Sequence, residues 1–96
     1  MIVVIARYSL AEGKREEYLK AVNSENIIEK CRAEAGNVSY EFLCSPENKE
    51  EIVVLERWKN QEILDRHGKE PHFLRMLEIK KSFGASPSVV DKYEVK

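Results

Sequence analysis

The sequence predicts a single α+β domain in which strands and helices follow one another in the order β-α-β-β-α-β. Short runs rich in β-branched and aromatic residues lie at both ends and in the middle of the 96-residue chain, and such runs favour strands. Two longer stretches between them have the composition of helices. A chain of this length corresponds to one domain, residues 1–96.

The first half is predicted as a strand followed by an interrupted helix. The strand runs from Ile2 to Ser9 and the helical region from Lys14 to Ala35. Asn23-Ser24-Glu25-Asn26 consists of poor helix formers and predicts a break, and Gly36 follows the region in the manner of a C-cap. The apolar positions change face across this break. They are Tyr18, Leu19 and Val22 before it, and Ile28, Cys31 and Ala35 after it.

The second half is predicted as a hairpin, two helical segments and a last strand. The hairpin strands are Val38 to Cys44 and Glu51 to Lys59. A helix from Gln61 to Gly68 precedes a second stretch that restarts at Pro71 and reaches Ser82, and Ser88 to Val95 forms the last strand. Alternation places four side chains on one face of the first hairpin strand: Val38, Tyr40, Phe42 and Cys44.

This order of elements is the split-βαβ, ferredoxin-like arrangement, with an antiparallel sheet and both helical regions on one face. Its first and third strands are central, and here both are apolar on both faces. An antiparallel sheet with one wet face should alternate apolar with polar residues. We therefore expect a second copy, related by a two-fold axis, to cover the other face.

Composition excludes several classes of protein. The 16 Lys and Arg against 17 Asp and Glu give a net charge of −1, without the positive excess typical of nucleic-acid binders. The chain opens on a strand-like run, so we expect no signal peptide or membrane span and place the protein in the cytoplasm by default. Cys31 and Cys44 are expected to be half-buried free thiols.

Chemistry is concentrated around the third strand and the helix that follows it. Glu56 and Trp58 are two residues apart on a strand and share a face, and His67 shares the core-facing side of its helix. If that helix packs on the Trp58 face, these three converge and Tyr40 joins them from the neighbouring strand. An imidazole with a pKa near neutrality, beside a carboxylate and an aromatic wall, is suited to proton transfer on a flat ligand.

Ordinary structural roles compete with this interpretation. An inward histidine is at least as often a packed residue as a catalytic one, and Trp58 is more often core than ligand contact. We expect no metal, because His67 and His72 are five apart with Pro71 between them, which breaks the geometry by which two imidazoles on one helix share an ion. Motifs of phosphate-binding loops and common hydrolases are absent.

Together these segments resemble the antibiotic biosynthesis monooxygenase (ABM) family. The resemblance covers essentially the whole chain and rests on Ala35 to Phe42, Leu55 to Lys59, Leu64 to His67 and Pro71-His72-Phe73. It implies a dimeric α+β barrel with a pocket between sheet and helices in each subunit. Several members oxidise quinols or polycyclic phenols with molecular oxygen and without a cofactor.

That resemblance also implies roles for the candidate residues. His67 is the expected base and Glu56 its orienting partner, while the remaining candidates contact a small aromatic or quinone-like substrate: Tyr40, Trp58, His72 and Phe73. Other activities in the family leave two alternatives, an isomerase of a phosphorylated diketone that uses Arg7, Lys69 or Lys80, and a non-catalytic binding protein. Haem degradation is disfavoured because the asparagine on the first strand and the later histidine of that branch have no counterpart here.

Overall fold

A computed structural model describes all residues, 1–96, as a four-stranded sheet with four helices. The order of elements is the predicted one, with each helical region divided into two. The elements are β1 Ile2–Ser9, α1 Arg15–Ser24, α2 Ile27–Arg32, β2 Asn37–Cys44, β3 Glu51–Trp58, α3 Gln61–His67, α4 Pro71–Ser82 and β4 Val89–Glu94. None of these helices combines the length and the apolar character that crossing a lipid bilayer requires.

The sheet has the order β2-β3-β1-β4 with every neighbouring pair antiparallel. This confirms the ferredoxin-like arrangement and the central position of β1 and β3. Side chains of one face are buried beneath the helices, including Val4, Ile52, Val54 and Trp58. The alternate residues of the central strands face the other way and remain only partly covered. These are Val3, Ile5, Val53 and Leu55.

The predicted break in the first helical region lies between Ser24 and Ile27. Asn26 adopts a left-handed conformation with φ of 55°, which a short polar side chain tolerates better than most. The rotation of the following helix after this residue differs from the one that the sequence indicated. As a result Ile27 and Cys31 are buried, whereas the predicted inward positions Ile28 and Ala35 are half-buried and exposed, respectively.

The strand β2 departs from simple alternation at its start. An irregularity in its pairing with β3 falls between Asn37 and Ser39, and a bulge of this kind turns side chains away from their expected face. Val38 is consequently exposed, while Tyr40 is buried. Cys44, the last residue of the strand, is also exposed. The two thiols also differ from expectation, since Cys31 is fully buried and Cys44 is exposed.

A capping side chain and a proline mark the starts of α3 and α4. The Asn60 side chain caps α3 by accepting a hydrogen bond from the Ile63 amide at 2.9 Å, a common N-cap arrangement. His67 is the last residue of α3, and Pro71 is the first of α4, where a proline is well tolerated. The chain therefore changes direction between the two histidines, His67 and His72.

Gly36 links α2 to β2 where no side chain fits. Its φ is +85°, and a Cβ atom there would lie 2.8 Å from the Ile63 side chain. We expect Gly36→Ala to lower the free energy of unfolding by roughly 3 kcal/mol, because left-handed strain and overpacking add. Urea denaturation would measure the loss.

Gly13→Ala is the matched control for this prediction. Gly13 has a similar φ of +75°, but an added Cβ would meet nothing within 4 Å. Only the backbone penalty of about 1 kcal/mol should then appear. Equal losses in the two variants would show that the Ile63 contact contributes nothing.

Candidate active site

A cavity of about 350 Å³ lies between the helix-covered face of the sheet and the α3–α4 pair. Ten of its 16 lining residues are hydrophobic, so its interior suits an apolar or aromatic ligand. Apart from Gly68, the others are polar or charged, and any chemistry in the cavity depends on them. They are Glu56, His67, Lys80, Ser88 and Lys92.

Glu56 is held on β3 with its carboxyl group at the cavity wall. One oxygen, Oε1, accepts a hydrogen bond of 3.0 Å from Trp58 Nε1, while no protein group bonds to the other. Burial raises the pKa of Glu56 to about 7; the bond from Trp58 opposes this shift and the charge of Glu34 adds to it. A carboxyl group with this pKa can exchange a proton at neutral pH.

His67 lies beside Glu56 within an aromatic enclosure. Its ring centroid is 4.5 Å from that of Trp58, 4.8 Å from Phe73 and 5.6 Å from Tyr40, and its side chain is only 4% exposed. Burial lowers the pKa of His67, although the hydrogen bond that its ring donates to Glu34 acts in the opposite direction. The imidazole is therefore neutral at pH 7 and carries one proton.

Glu34 determines where that proton sits. Its Oε2 atom lies 2.7 Å from His67 Nδ1 and 2.7 Å from His72 Nε2. Since a carboxylate can only accept, both imidazoles donate to it, and the proton of His67 occupies Nδ1. The other nitrogen, Nε2, is then a bare acceptor. It is buried without a hydrogen-bond partner and lies 3.9 Å from Glu56 Oε1.

The sequence candidates divide into two groups around this cavity. Tyr40 and Phe73 line it together with Glu56 and His67, but Trp58 and His72 do not. Trp58 is fully buried behind the site, where it holds the Glu56 carboxyl group. The expected substrate contacts of Trp58 and His72 stay predictions, although neither side chain forms part of the wall of the cavity. Both act on the residues that form it.

Sequence reasoning missed Glu34, which takes the orienting contact that was assigned to Glu56. It follows α2, and its position depends on the rotation introduced at Asn26. The predicted buried face after the break included Ala35, whereas in the structure the neighbouring residue, Glu34, points inward. The correct face, Ile27, Cys31 and Glu34, has the spacing i, i+4 and i+7 of a helix stripe, and this spacing was the available signal.

Two lysines contribute positive charge to the lining of the cavity. Lys80 Nζ donates to Ser88 Oγ at 2.9 Å and lies 4.0 Å from the centroid of the Tyr8 ring. Lys92 donates to Gln61 Oε1 at 2.9 Å. Of the three cations proposed to hold a phosphate, only Lys80 lines the cavity. Arg7 instead pairs with Asp91 at 3.0 Å on the opposite face, and Lys69 lies outside the wall.

The histidine spacing did not keep the two imidazoles apart. They lie on different helices, and the turn before Pro71 brings both to the same oxygen of Glu34. Cys31 completes a group whose ligand atoms all lie within 4.8 Å of one another: Cys31, Glu34, His67 and His72. The geometric argument against a shared ion is therefore wrong.

Comparison with known proteins gives consistent matches. The family model described as "Antibiotic biosynthesis monooxygenase" matches residues 1–79. The protein named "Putative monooxygenase YcnE" from Bacillus subtilis is 28% identical, over 99% of this chain and 98% of its own. An uncharacterized Synechocystis protein, sll1783, is 29% identical over 98% of this chain, which spans only 63% of that protein. The structure of Rv0793 from Mycobacterium tuberculosis superposes with a TM-score of 0.83 at 28% identity, covering 99% and 94% of the two chains.

The raised pKa of Glu56 predicts how stability depends on pH. The carboxyl group holds its proton more tightly when folded, with a pKa of about 7 against 4.5. Stability is therefore lost as the pH rises between these two values, because the unfolded chain is ionised there while the folded protein is still protonated, and the loss levels off above pH 7. We expect wild type to lose up to about 3 kcal/mol more than Glu56→Gln between pH 5 and pH 8. Urea denaturation of both metal-free proteins across this range would measure the difference.

His67 is present in both of these proteins, so its own titration largely cancels in the comparison. Glu62→Gln, which alters an exposed carboxylate on α3, serves as the control and should follow wild type. Parallel curves for wild type and Glu56→Gln would contradict the raised pKa.

Proposed function

The chain belongs to the antibiotic biosynthesis monooxygenase family, and from this membership and the site together we propose that it oxidises a quinol- or phenol-like small molecule with molecular oxygen. The observation that carries the proposal is the pairing of Glu56 with the bare Nε2 of His67 at the wall of an apolar cavity. Two adjacent proton acceptors in such a cavity are suited to ionising a weakly acidic aromatic hydroxyl group.

The proposed reaction takes all its electrons from the substrate. Overall, substrate-H₂ and O₂ give substrate-O and H₂O, so the substrate loses two hydrogens and gains one oxygen. The phenolic proton leaves first, and the electron-rich anion reduces oxygen and forms a carbon–oxygen bond as a peroxide. Cleavage of the O–O bond leaves one oxygen on the ring as a carbonyl, while the second departs as water with the ring hydrogen and the phenolic proton.

Each polar group has a defined part in this scheme. Glu56 presents the carboxyl oxygen that Trp58 leaves free, and this oxygen receives the hydroxyl proton. His67 Nε2 can accept a proton from the substrate in the same cavity, while Glu34 keeps the other ring nitrogen, Nδ1, protonated. Lys80 supplies a positive charge in the same cavity, which stabilises the phenolate as it forms. The apolar wall excludes water from the reactive anion.

A second candidate activity is favoured by the lysines. A phosphorylated diketone could place its phosphate at Lys80 or at Lys92, which both line the cavity, and undergo isomerisation by proton transfer at Glu56 and His67. Oxygen uptake with a menadiol-type quinol supports the oxygenase. Turnover that requires a phosphorylated substrate supports the isomerase, and ligand-dependent stabilisation without turnover supports a binding protein.

We also propose that the protein is a dimer formed by the open faces of two sheets. The partly covered side chains of β1 and β3 form an apolar centre on this face, which continues to the exposed Leu43, Val89 and Tyr93. The ion pairs Arg7–Asp91 and Arg57–Glu41 flank it. A contiguous apolar area with charged margins is typical of a protein interface.

Light scattering tests the dimer directly. At micromolar concentration wild type should have twice the 11.2 kDa mass of one chain, and Leu55→Glu should dissociate it by placing a charge at the centre of the interface. Leu74→Glu, at an exposed position on α4, is the control and should remain a dimer. A monomeric wild type would refute this assembly.

Substitution of the two proton acceptors tests catalysis. Glu56→Gln and His67→Gln should each lower kcat for a quinol by roughly 10²–10⁴-fold, the usual contribution of a general base. Oxygen consumption measures the rate, and circular dichroism confirms folding. Glu62→Gln makes the same chemical change at an exposed position and should leave the rate unaltered. Unchanged oxygen uptake in either active-site variant would exclude that residue as the base.

A further inference from the structure

We propose that Cys31, Glu34, His67 and His72 bind one divalent transition-metal ion of the zinc type, behind the wall of the cavity. Their ligand atoms already lie within 4.8 Å of one another. One thiolate, two imidazoles and one carboxylate form a set that suits zinc. The site differs from the proposed active site, which lies on the cavity side of His67.

The observed separations of the ligand atoms, from 2.7 Å to at most 4.8 Å, span those of a tetrahedral site. Zinc bonds of about 2.0–2.3 Å place neighbouring ligand atoms about 3.3–3.7 Å apart. In the structure Glu34 Oε2 is 2.7 Å from a nitrogen of each histidine. Opening these two hydrogen bonds by less than 1 Å would admit the ion, a change that a carboxyl side chain can make by rotation.

The backbone holds the four side chains in place before any ion arrives. Cys31 lies in the last turn of α2, with Glu34 three residues later. His67 ends α3 and His72 lies in the first turn of α4. Cys31 and His67 are buried, and His72 and Glu34 are only 12% and 10% exposed at their side chains. Little side-chain freedom is therefore lost on binding.

The carboxyl group of Glu56 lies where a metal-bound His67 would need a hydrogen-bond acceptor. A histidine that binds a metal through one nitrogen usually donates its other N–H to a carboxylate or carbonyl group. His67 Nε2 is buried without a partner and lies 3.9 Å from Glu56 Oε1. An ion at Nδ1 would move the ring proton to Nε2, where Glu56 is the nearby acceptor, so the unpartnered atom would gain a hydrogen bond.

The ion has a route to the site that does not cross the cavity. His72 also lines a shallow depression on the outer surface, bordered by Glu25, Glu70 and Arg75. No residue of this depression lines the cavity. A bound substrate therefore does not block the approach of an ion to His72.

Occupancy of the site would change the chemistry of His67, a consequence that, unlike binding itself, rests on the proposed function. With the metal on Nδ1, Nε2 becomes a donor and can no longer accept a proton from the substrate. We therefore expect zinc to inhibit turnover without occupying the cavity.

Cobalt(II) titration of the metal-free protein tests binding without any substrate. One equivalent should give the visible bands of a tetrahedral site together with a near-ultraviolet thiolate charge-transfer band, and zinc should displace it. Cys31→Ser should abolish the charge-transfer band, and His72→Gln should weaken binding at least tenfold. Cys44→Ser alters the exposed thiol and should bind like wild type. Glu56→Gln should lower affinity about 10–100-fold, as expected for an outer-shell partner.

Three results would overturn the site: no cobalt binding at micromolar protein, an octahedral spectrum without the thiolate band, or a wild-type spectrum in Cys31→Ser. Circular dichroism establishes that each variant is folded, and His72→Gln carries the test if Cys31→Ser does not fold. Oxygen uptake with and without zinc is a separate measurement, in which Cys31→Ser should resist inhibition at least tenfold. A protein that binds cobalt as described but consumes no oxygen refutes the oxygenase and leaves the metal site intact.

Discussion

The candidate site depends on one carboxylate oxygen, Glu34 Oε2, which accepts hydrogen bonds from two imidazoles. This contact joins the end of α2 to the end of α3 and the start of α4. It fixes the ring of His67 and the nitrogen that carries its proton, as in other sites where a carboxylate orients a histidine. The bare Nε2 beside Glu56 follows from that contact, as does the convergence of His72 on the same point.

The same arrangement places one acidic side chain on each side of the buried neutral imidazole of His67: Glu34 on one side and Glu56 on the other. Burying polar groups without full pairing is costly, and both His67 Nε2 and the raised pKa of Glu56 reflect that cost. A protein optimised for stability alone would fill this space with apolar side chains. Retaining a proton acceptor against an apolar cavity is typical of sites where stability is sacrificed for chemistry.

Much of the fold could be predicted because its signals are local and periodic. The apolar runs of β1 and β3 indicated central strands, and alternation on β3 placed Glu56 and Trp58 on one face. The position of Glu34 could not be predicted in the same way, since a single left-handed residue, Asn26, sets the rotation of α2. The approach of His72 to His67 was not predicted for a related reason. The number of residues between two histidines does not determine the distance between their rings when the chain changes direction before Pro71.

The protonation of His67 is the most direct test of this account. Long-range ¹H–¹⁵N correlation spectra of the metal-free protein near pH 7 distinguish the two neutral tautomers of each histidine. We expect His67 to carry its proton on Nδ1, donated to Glu34, and its Nε2 to have the chemical shift of an unprotonated nitrogen. A proton on Nε2 would contradict this expectation, because His67 could then neither accept a proton from the cavity nor donate to Glu34.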